Sequence, residues 1–317
     1  MHQPLSHAGP LALGIDFGGT KIEANVLDAA GGVLWRRRDL NPGSYDAALA
    51  VIGQLVMAAE QAVGARCTIG IGAPGSPSPQ TGLMRNANSV YLNGRAFAAD
   101  LERALGRPVR LANDANCLAV SEAADGAAAD AASVFAVIIG TGLGGGLVVG
   151  GAGVLGAHGI AGEIGHLPLP WQTGAELDAP ACWCGLTGCC ETWVSGTGFA
   201  RAFHAANGYA LSAPEIVAGA RDGDPAAMIA LDAYINRLGR VLALIVNLLD
   251  PAVIVLGGGM SKVDELYPAL PAIVHRYAFS DLWDGSIVPA RWGDASGVRG
   301  AARLWAGAAM AGSGVGS

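Results

Sequence analysis

Two stretches of the chain share one succession of apolar and polar positions. In residues 11–38, LALGIDFGGTKIEANVLDAAGGVLWRRR, an apolar run meets a glycine turn, then an alternating run, an Ala-Gly-Gly turn and a third strand-like run. Residues 133–156, SVFAVIIGTGLGGGLVVGGAGVLG, follow the same order. Short apolar or alternating runs bounded by glycine predict β-strands. Between and after these units the pattern changes, predicting helices over 47–64, 100–105, 225–249 and about 297–309. TIGIGAPG reads as a strand ending at a glycine–proline turn, VRLANDAN as a strand running into a polar end, and AVIVLGGG as a strand broken by three glycines. Strands alternating with helices predict an α/β fold. Two similar units predict two α/β domains facing each other across a cleft. The first is expected over 11–122 and the larger second over 123–296, with a C-terminal helix of about 297–312 packing back on the first.

Composition narrows the class. The 317 residues are 52% hydrophobic and 14% charged, ample for a large core. Forty-eight glycines exceed the usual share of about 7%, and with no Gly-X-Y period they point to tight turns and backbone–ligand contacts. The net charge is −7, and the basic run Arg36–Arg37–Arg38 follows a strand-like segment, which argues against a nucleic-acid partner. The opening residues MHQPLSHAGP carry neither a basic nor an apolar leader region. Residues 131–157 are uncharged and long enough to span a bilayer. Their glycines disqualify them as a helix, so two buried strands joined by a turn are expected. The expectation is a soluble, cytoplasmic protein with no membrane partner, where clustered cysteines lean towards metal or redox roles.

Several short motifs can carry chemistry. DFGGTK, Asp16–Lys21, places an aspartate at a strand end ahead of two glycines, so the backbone N–H groups can meet an anion; an ordinary hairpin turn fits the same residues. Its spacing matches neither a Walker A loop nor the Rossmann fingerprint. Gly140–Thr141–Gly142 occupies the equivalent place in the second unit, and the two turns could grip a polyphosphate. Gly257–Gly258–Gly259 ends a buried strand, where ligands of open α/β sheets tend to sit and a flat base could lie on bare backbone. In LANDAN, Asp114 suits a general base towards an alcohol, with Asn113 orienting the substrate; an N-cap fits the same residues.

GEIGH supplies Glu163 and His166, and the cluster CWCGLTGCCE follows sixteen residues later. Cys182, Cys184 and Cys189 are close enough for one metal, with His166 as the natural fourth ligand of a tetrahedral Cys₃His zinc site. The cysteine spacings do not form a thioredoxin-type C-x-x-C pair.

With these motifs in order, the chain resembles the ROK family of sugar kinases and repressors. GIDFGGTK, GAPG, LANDAN, IIGTGLGGG, GEIGH, CWCGLTGCCETWVSGTG and VIVLGGG carry the resemblance over residues 13–305. It implies a two-lobed actin/hexokinase-like (ribonuclease H-like) ATPase fold with a central cleft, ATP with magnesium, structural zinc and a homodimer. Asp16, Gly18, Gly19, Thr20 and Lys21 would hold phosphates and magnesium, the latter through Asp16. Gly140, Thr141 and Gly142 would meet the same phosphates, and Gly257, Gly258 and Gly259 would border adenosine. Asn113, Glu163, His166 and Glu191 resemble the family's sugar-binding set, with Asp114 as base. The zinc would set the sugar-binding wall, and Cys190 would be a small packing residue.

NANSVYLNG, LPLPWQ and ETWVSGTGFA resemble bacterial fructokinases of the manno(fructo)kinase type, so phosphorylation of fructose at O6 is the first expectation. Glucokinase and N-acetylhexosamine kinase are the alternatives within the family. Gly75 and Ser76 of GAPGSPSP are expected to touch the sugar, or to form only a turn. A sugar-sensing repressor is the alternative of another class; the dozen residues ahead of LALGID are too few for its helix-turn-helix.

Overall fold

The computed structural model describes residues 10–306 and 310–311. The chain divides into two compact units. One takes residues up to Asp130, residues 146–161 and those from Asp294 on; the other takes 131–145 and 162–293. A single boundary at 122/123 was expected, whereas segment 146–161 belongs with the first unit. Its attachment is local and tight: a Cβ on Gly146 would fall 2.3 Å from the Ala115 carbonyl oxygen.

The first unit is built on a five-stranded sheet in the order Val33–Leu40, Lys21–Leu27, Ala12–Phe17, Thr68–Gly72, Arg110–Ala112. The first three strands form an antiparallel meander, and the last two pair in parallel. Period two shows directly in Ala12–Phe17: Leu13, Ile15 and Phe17 enter the core beside Ile52, Leu55 and Ala59 of the helix Tyr45–Val63. That helix is long and apolar enough to cross a membrane, yet its apolar stripe lies in this core. The other face of the strand carries Gly14 and Asp16. There the helix Ser296–Arg303 lies almost on the sheet backbone, and a Cβ on Gly14 would stand 2.0 Å from the Val298 carbonyl oxygen. The C-terminal helix thus packs within the first unit but is shorter than the expected 297–312. The Leu304 N–H turns back to the Ala301 carbonyl, and Met310–Ala311 is a short strand pairing with Ala152–Val154. Positions 307–309 and 312 lie outside the described residues.

In the second unit, strands Ser286–Pro289, Val253–Gly257 and Ser133–Ile139 run parallel, and Leu143–Val149, of which only residues 143–145 belong to this unit, is the next hydrogen-bonded strand after Ser133–Ile139. The uncharged stretch 131–157 therefore folds as strands, because its glycines cannot sustain a helix. Helices Gly196–Asn207, Ala213–Arg221, Pro225–Leu249 and Leu266–Tyr277 pack around them. The long helix has the bounds its pattern predicts. Asp224 caps it by accepting the Ala226 N–H at 2.8 Å, Pro225 opens it, and Leu238, Leu242 and Ile245 bury its inner face.

Candidate active site and metal centre

In the first unit the turn after Ala12–Phe17 is tied from behind. Gly18 N–H donates to the Lys21 carbonyl at 2.9 Å, while Asn41 donates its backbone N–H to Thr20 O at 2.9 Å and its Nδ2 to Gly18 O at 2.7 Å. Tyr91 in turn donates its hydroxyl to Asn41 Oδ1 at 2.7 Å. The turn's carbonyls are thus engaged, and Gly19, Thr20 and Lys21 face solvent.

Asp16 stands opposite Glu23 in the strand register, and Glu23 stands opposite Arg38. Glu23 is buried between two arginines, with Arg36 Nε 2.9 Å from its Oε1 and Arg38 Nε 2.7 Å from its Oε2. Burial pushes the Asp16 carboxyl up to about 7, the negative charges of Asp114 and Glu23 add to the rise, and Arg38 opposes it. Gly297 permits the start of the last helix to approach, since a Cβ there would be 3.0 Å from Asp16 Oδ2.

Asp114 opens the helix Asp114–Asp125 immediately after the strand Arg110–Ala112. Asn113 is the N-cap: its Oδ1 accepts the Asn116 N–H at 2.7 Å. Asp114 Oδ1 accepts the Ala115 N–H at 2.8 Å. Burial raises the Asp114 carboxyl above its ordinary range, and the backbone N–H bonds only partly counter it. Both aspartates are half-buried, and the charge of Asp114 biases Asp16 towards the protonated form. A divalent cation with phosphate nearby would relieve that repulsion, so the donor set fits magnesium. Cys117, fully buried near both, has a thiol held neutral by its surroundings. Gly75 takes a left-handed conformation at φ +75°, and a Cβ there would meet Arg85 O at 2.3 Å. Ser76 begins a two-residue strand paired with Met84–Arg85.

In the second unit the turn Gly140–Gly142 joins Ser133–Ile139 to Leu143–Val149. It is tied to the start of the helix Gly196–Asn207: Gly196 N–H donates to Gly140 O at 2.8 Å, and Thr197 Oγ1 donates to Thr141 O at 2.6 Å. Gly258 approaches the same end of Ser133–Ile139 at φ +83°, and a Cβ there would meet Ile139 O at 2.5 Å. Gly257 and Gly259 flank it, Gly259 exposed.

His166 closes a short 3-10 turn, Ile164–His166, with half-buried Glu163 immediately before it. Ligand atoms of His166, Cys182, Cys184 and Cys189 all lie within 4.8 Å of one another. Cys184 Sγ is 3.6 Å from Cys189 Sγ, and Cys182 Sγ is 3.7 Å from His166 Nδ1. A tetrahedron with Zn–S bonds of about 2.3 Å has S···S edges of ~3.8 Å, so the set fits zinc. All six cysteines are free thiols. Cys190 is different: it is fully buried, its Sγ–H points to Pro168 O at 3.6 Å, and burial pushes its thiol up to about 12.

Glu191 is gripped at both oxygens. Oε2 accepts the Leu143 N–H at 3.0 Å, and Oε1 accepts the Trp183 indole N–H at 2.7 Å. The segment between His166 and the cysteines is anchored by Arg240, a buried guanidinium that donates to Pro170 O at 2.9 Å, Trp171 O at 2.7 Å and Glu176 Oε1 at 2.6 Å. Sequence reasoning missed Asn41, Glu23, Arg38, Trp183, Thr197 and Arg240. Asn41 sits in an Asn-Pro-Gly turn signal and Thr197 follows a serine cap, so those two had a legible trace.

Comparison with known proteins gives a consistent result. The model of the ROK family matches residues 12–308. An N-acetyl-D-glucosamine kinase of Pectobacterium atrosepticum is 40% identical over 296 residues, covering 92% of this chain and 97% of the relative. A ROK hexokinase from Thermus thermophilus superposes with a TM-score of 0.83 at 33% identity, covering 92% of this chain and 96% of the other. A ROK family glucokinase from Streptomyces griseus, solved with glucose and AMPPNP, gives a TM-score of 0.76 at 28% identity over 93% of this chain and 98% of the other. The fold is therefore the mixed α/β, actin/hexokinase-like ATPase fold.

Proposed function

We propose that this chain, which belongs to the ROK family and is a sugar kinase of that family, transfers the γ-phosphoryl group of ATP to the 6-hydroxyl of an N-acetylhexosamine, N-acetyl-D-glucosamine first. The observation that carries the sugar choice is the near full-length likeness to the Pectobacterium atrosepticum enzyme. It supports the N-acetylhexosamine alternative over fructose, to which no relative reported above points.

The chemistry is divided between the two units. In the first, the backbone N–H groups of the exposed Gly19 and Thr20, with Lys21, hold phosphate oxygens, and Gly18, its own N–H bonded to Lys21 O, shapes the turn that presents them. Asp16 is the single carboxylate for magnesium, which when bound neutralises phosphate charge. Asp114 accepts the proton of the attacking hydroxyl. Its raised pKa brings its basicity nearer to that task, and its self-capping bond at the helix start holds it in one orientation. With Oδ1 committed to the cap, Asn113 offers its amide N–H groups to a sugar hydroxyl. Gly75 shapes the turn that presents Ser76.

In the second unit, Gly140, Thr141 and Gly142 supply further phosphate contacts, and Gly257–Gly259 border the base. Glu163, His166 and Glu191 accept or donate to sugar hydroxyls. His166 turns Nδ1 to the cysteines, leaving Nε2 for substrate. Cys182, Cys184, Cys189 and His166 hold a structural zinc. With four protein donors no position is left for water, so the metal organises the wall and does not activate a nucleophile. A homodimer acting in the cytoplasm completes the proposal.

The test is ADP release with Mg-ATP over N-acetylglucosamine, N-acetylmannosamine, glucose, mannose and fructose. N-acetyl-D-glucosamine should give the highest kcat/KM. Turnover confined to fructose or mannose would return the reading to the manno(fructo)kinase type, and no turnover with any hexose would remove the kinase assignment.

A further inference from the structure

One large aromatic side chain is unaccounted for by the roles above. Trp183 stands between two of the clustered cysteines, Cys182 and Cys184, and is 64% exposed. An indole left in solvent normally directs its N–H to water, but here it donates to Glu191 Oε1 at 2.7 Å. The ring also meets the His166 imidazole edge-on, with centroids 5.0 Å apart. Its backbone is confined: Cys182 N–H donates to Leu186 O at 2.7 Å and Gly185 N–H to Cys182 O at 3.1 Å, closing a small hairpin around it.

Glu191 reaches the same point from the other direction. Its second oxygen accepts the Leu143 N–H and lies directly against the glycine turn, 2.7 Å from where a Cβ on Gly142 would stand. One carboxylate is therefore oriented by two holders, a backbone amide beside the glycine turn and the indole of the cysteine loop. The backbone holder is fixed by a strand. The indole holder is only as fixed as the loop, whose Cys184 and Leu186 are exposed and contribute no buried apolar anchor.

We propose that Trp183 is a positioning residue for Glu191, and that its indole N–H transmits occupancy of the cysteine–histidine metal site to sugar affinity. A metal bound by the cysteines on either side fixes the residue between them. That ring fixes one carboxylate oxygen and leaves its remaining lone pairs aimed at the sugar. Without metal the hairpin loosens, the indole N–H is lost to water, and Glu191 samples other rotamers. This rests on the reading of Glu191 as a sugar contact.

The test is calorimetric binding of N-acetyl-D-glucosamine without ATP, with zinc content measured on each sample. Trp183→Phe should keep one zinc per chain and wild-type affinity for ATP, while its sugar Kd rises about tenfold, the size expected for losing one hydrogen bond to a charged group. Trp183→His, which retains a ring N–H, should recover part of that loss. Chelating the metal from wild type should raise the sugar Kd by a similar factor, and chelation of Trp183→Phe should add less than threefold. Should the variants fold poorly, the assigned indole N–H resonance of Trp183 in the wild-type protein serves instead, and it should move on chelation. Wild-type sugar affinity in Trp183→Phe, equal sensitivity of both proteins to chelation, or an unmoved resonance would overturn the proposal. Glu191→Gln separates the two readings. If it weakens sugar binding and Trp183→Phe does not, only the role of Trp183 fails; if neither does, Glu191 is not a sugar contact.

Discussion

The acidic site of the first unit and the cysteine loop of the second are held by different physics. Asp16 and Asp114 sit at a strand end and a helix start, and glycines let the helix Ser296–Arg303 settle onto the sheet backbone beside them. Regular elements and apolar burial fix their geometry, and the same burial raises both carboxyl pKa values. Residues 163–190 contain only short 3-10 turns and isolated bridges, and Glu191 opens the four-residue helix Glu191–Val194. What holds them is polar: the metal-ligand cluster, the Arg240–Glu176 anchor and the two hydrogen bonds on Glu191. On the proposed reading this segment is the sugar-binding wall, and a cross-linking zinc together with the buried Arg240 guanidinium would hold it in place of an apolar core.

The contrast is broken most severely at the base. Asp114→Asn keeps the helix start, since the cap belongs to Asn113, but removes the proton acceptor. Steady-state kinetics should show kcat down roughly 10²–10⁴-fold, while calorimetry shows ATP affinity unchanged. Next in size is the anchor of the loop. Arg240→Met leaves the carbonyls of Pro170 and Trp171 without their buried donor and leaves Glu176 with Arg237 as its remaining arginine partner. Denaturant unfolding should show a loss of about 3–5 kcal/mol, larger than any exposed ion pair would give.

A pH series sharpens the comparison, because only the first unit carries the raised carboxyls. The base must be ionised to act, and its folded pKa lies above the ordinary carboxylate range. Activity should therefore be full above that value and fall about tenfold per pH unit below it. An acid limb at the ordinary carboxylate pKa near 4 would contradict the burial argument. For stability the sign is the reverse of the usual carboxylate. Asp16 binds its proton more tightly folded than unfolded, so its stabilising contribution is full below pH 4 and is lost as pH rises through about 7 in magnesium-free protein. The smallest effect separates two adjacent thiols. Cys189→Ser should lose the zinc by elemental analysis, whereas Cys190→Ser should keep it and lose only about 1–3 kcal/mol for a hydroxyl in a thiol's apolar place.

Much of this was legible because it is local. Glycine-bounded apolar runs placed the strands, and the aspartate and proline ahead of a long apolar period placed Pro225–Leu249. An Asn-Asp pair between strand and helix placed the cap at Asn113, with Asp114, the proposed base, beside it. His166 and the three cysteines were grouped by cysteine spacing and the family resemblance, and the fold brings their ligand atoms within 4.8 Å of one another. The Asp16–Glu23–Arg38 row was not, since it exists only through the register of three strands. Arg240 was hidden for a similar reason: it lies 64 residues from Glu176 along the chain. Trp183 lies between two cysteines, and nothing in its neighbours named Glu191 as its partner. Fructose was read from loop resemblance, and sugar choice rests on a few contacts that such loops share across the family.

The most direct measurement is a competition. Equimolar N-acetyl-D-glucosamine and fructose are incubated with the enzyme and limiting Mg-ATP, and the phosphorylated products are resolved by ³¹P NMR. The account predicts that N-acetyl-D-glucosamine 6-phosphate predominates and that Asp114→Asn forms neither product. A predominance of fructose phosphate, or phosphorylation at any other hydroxyl, would contradict it.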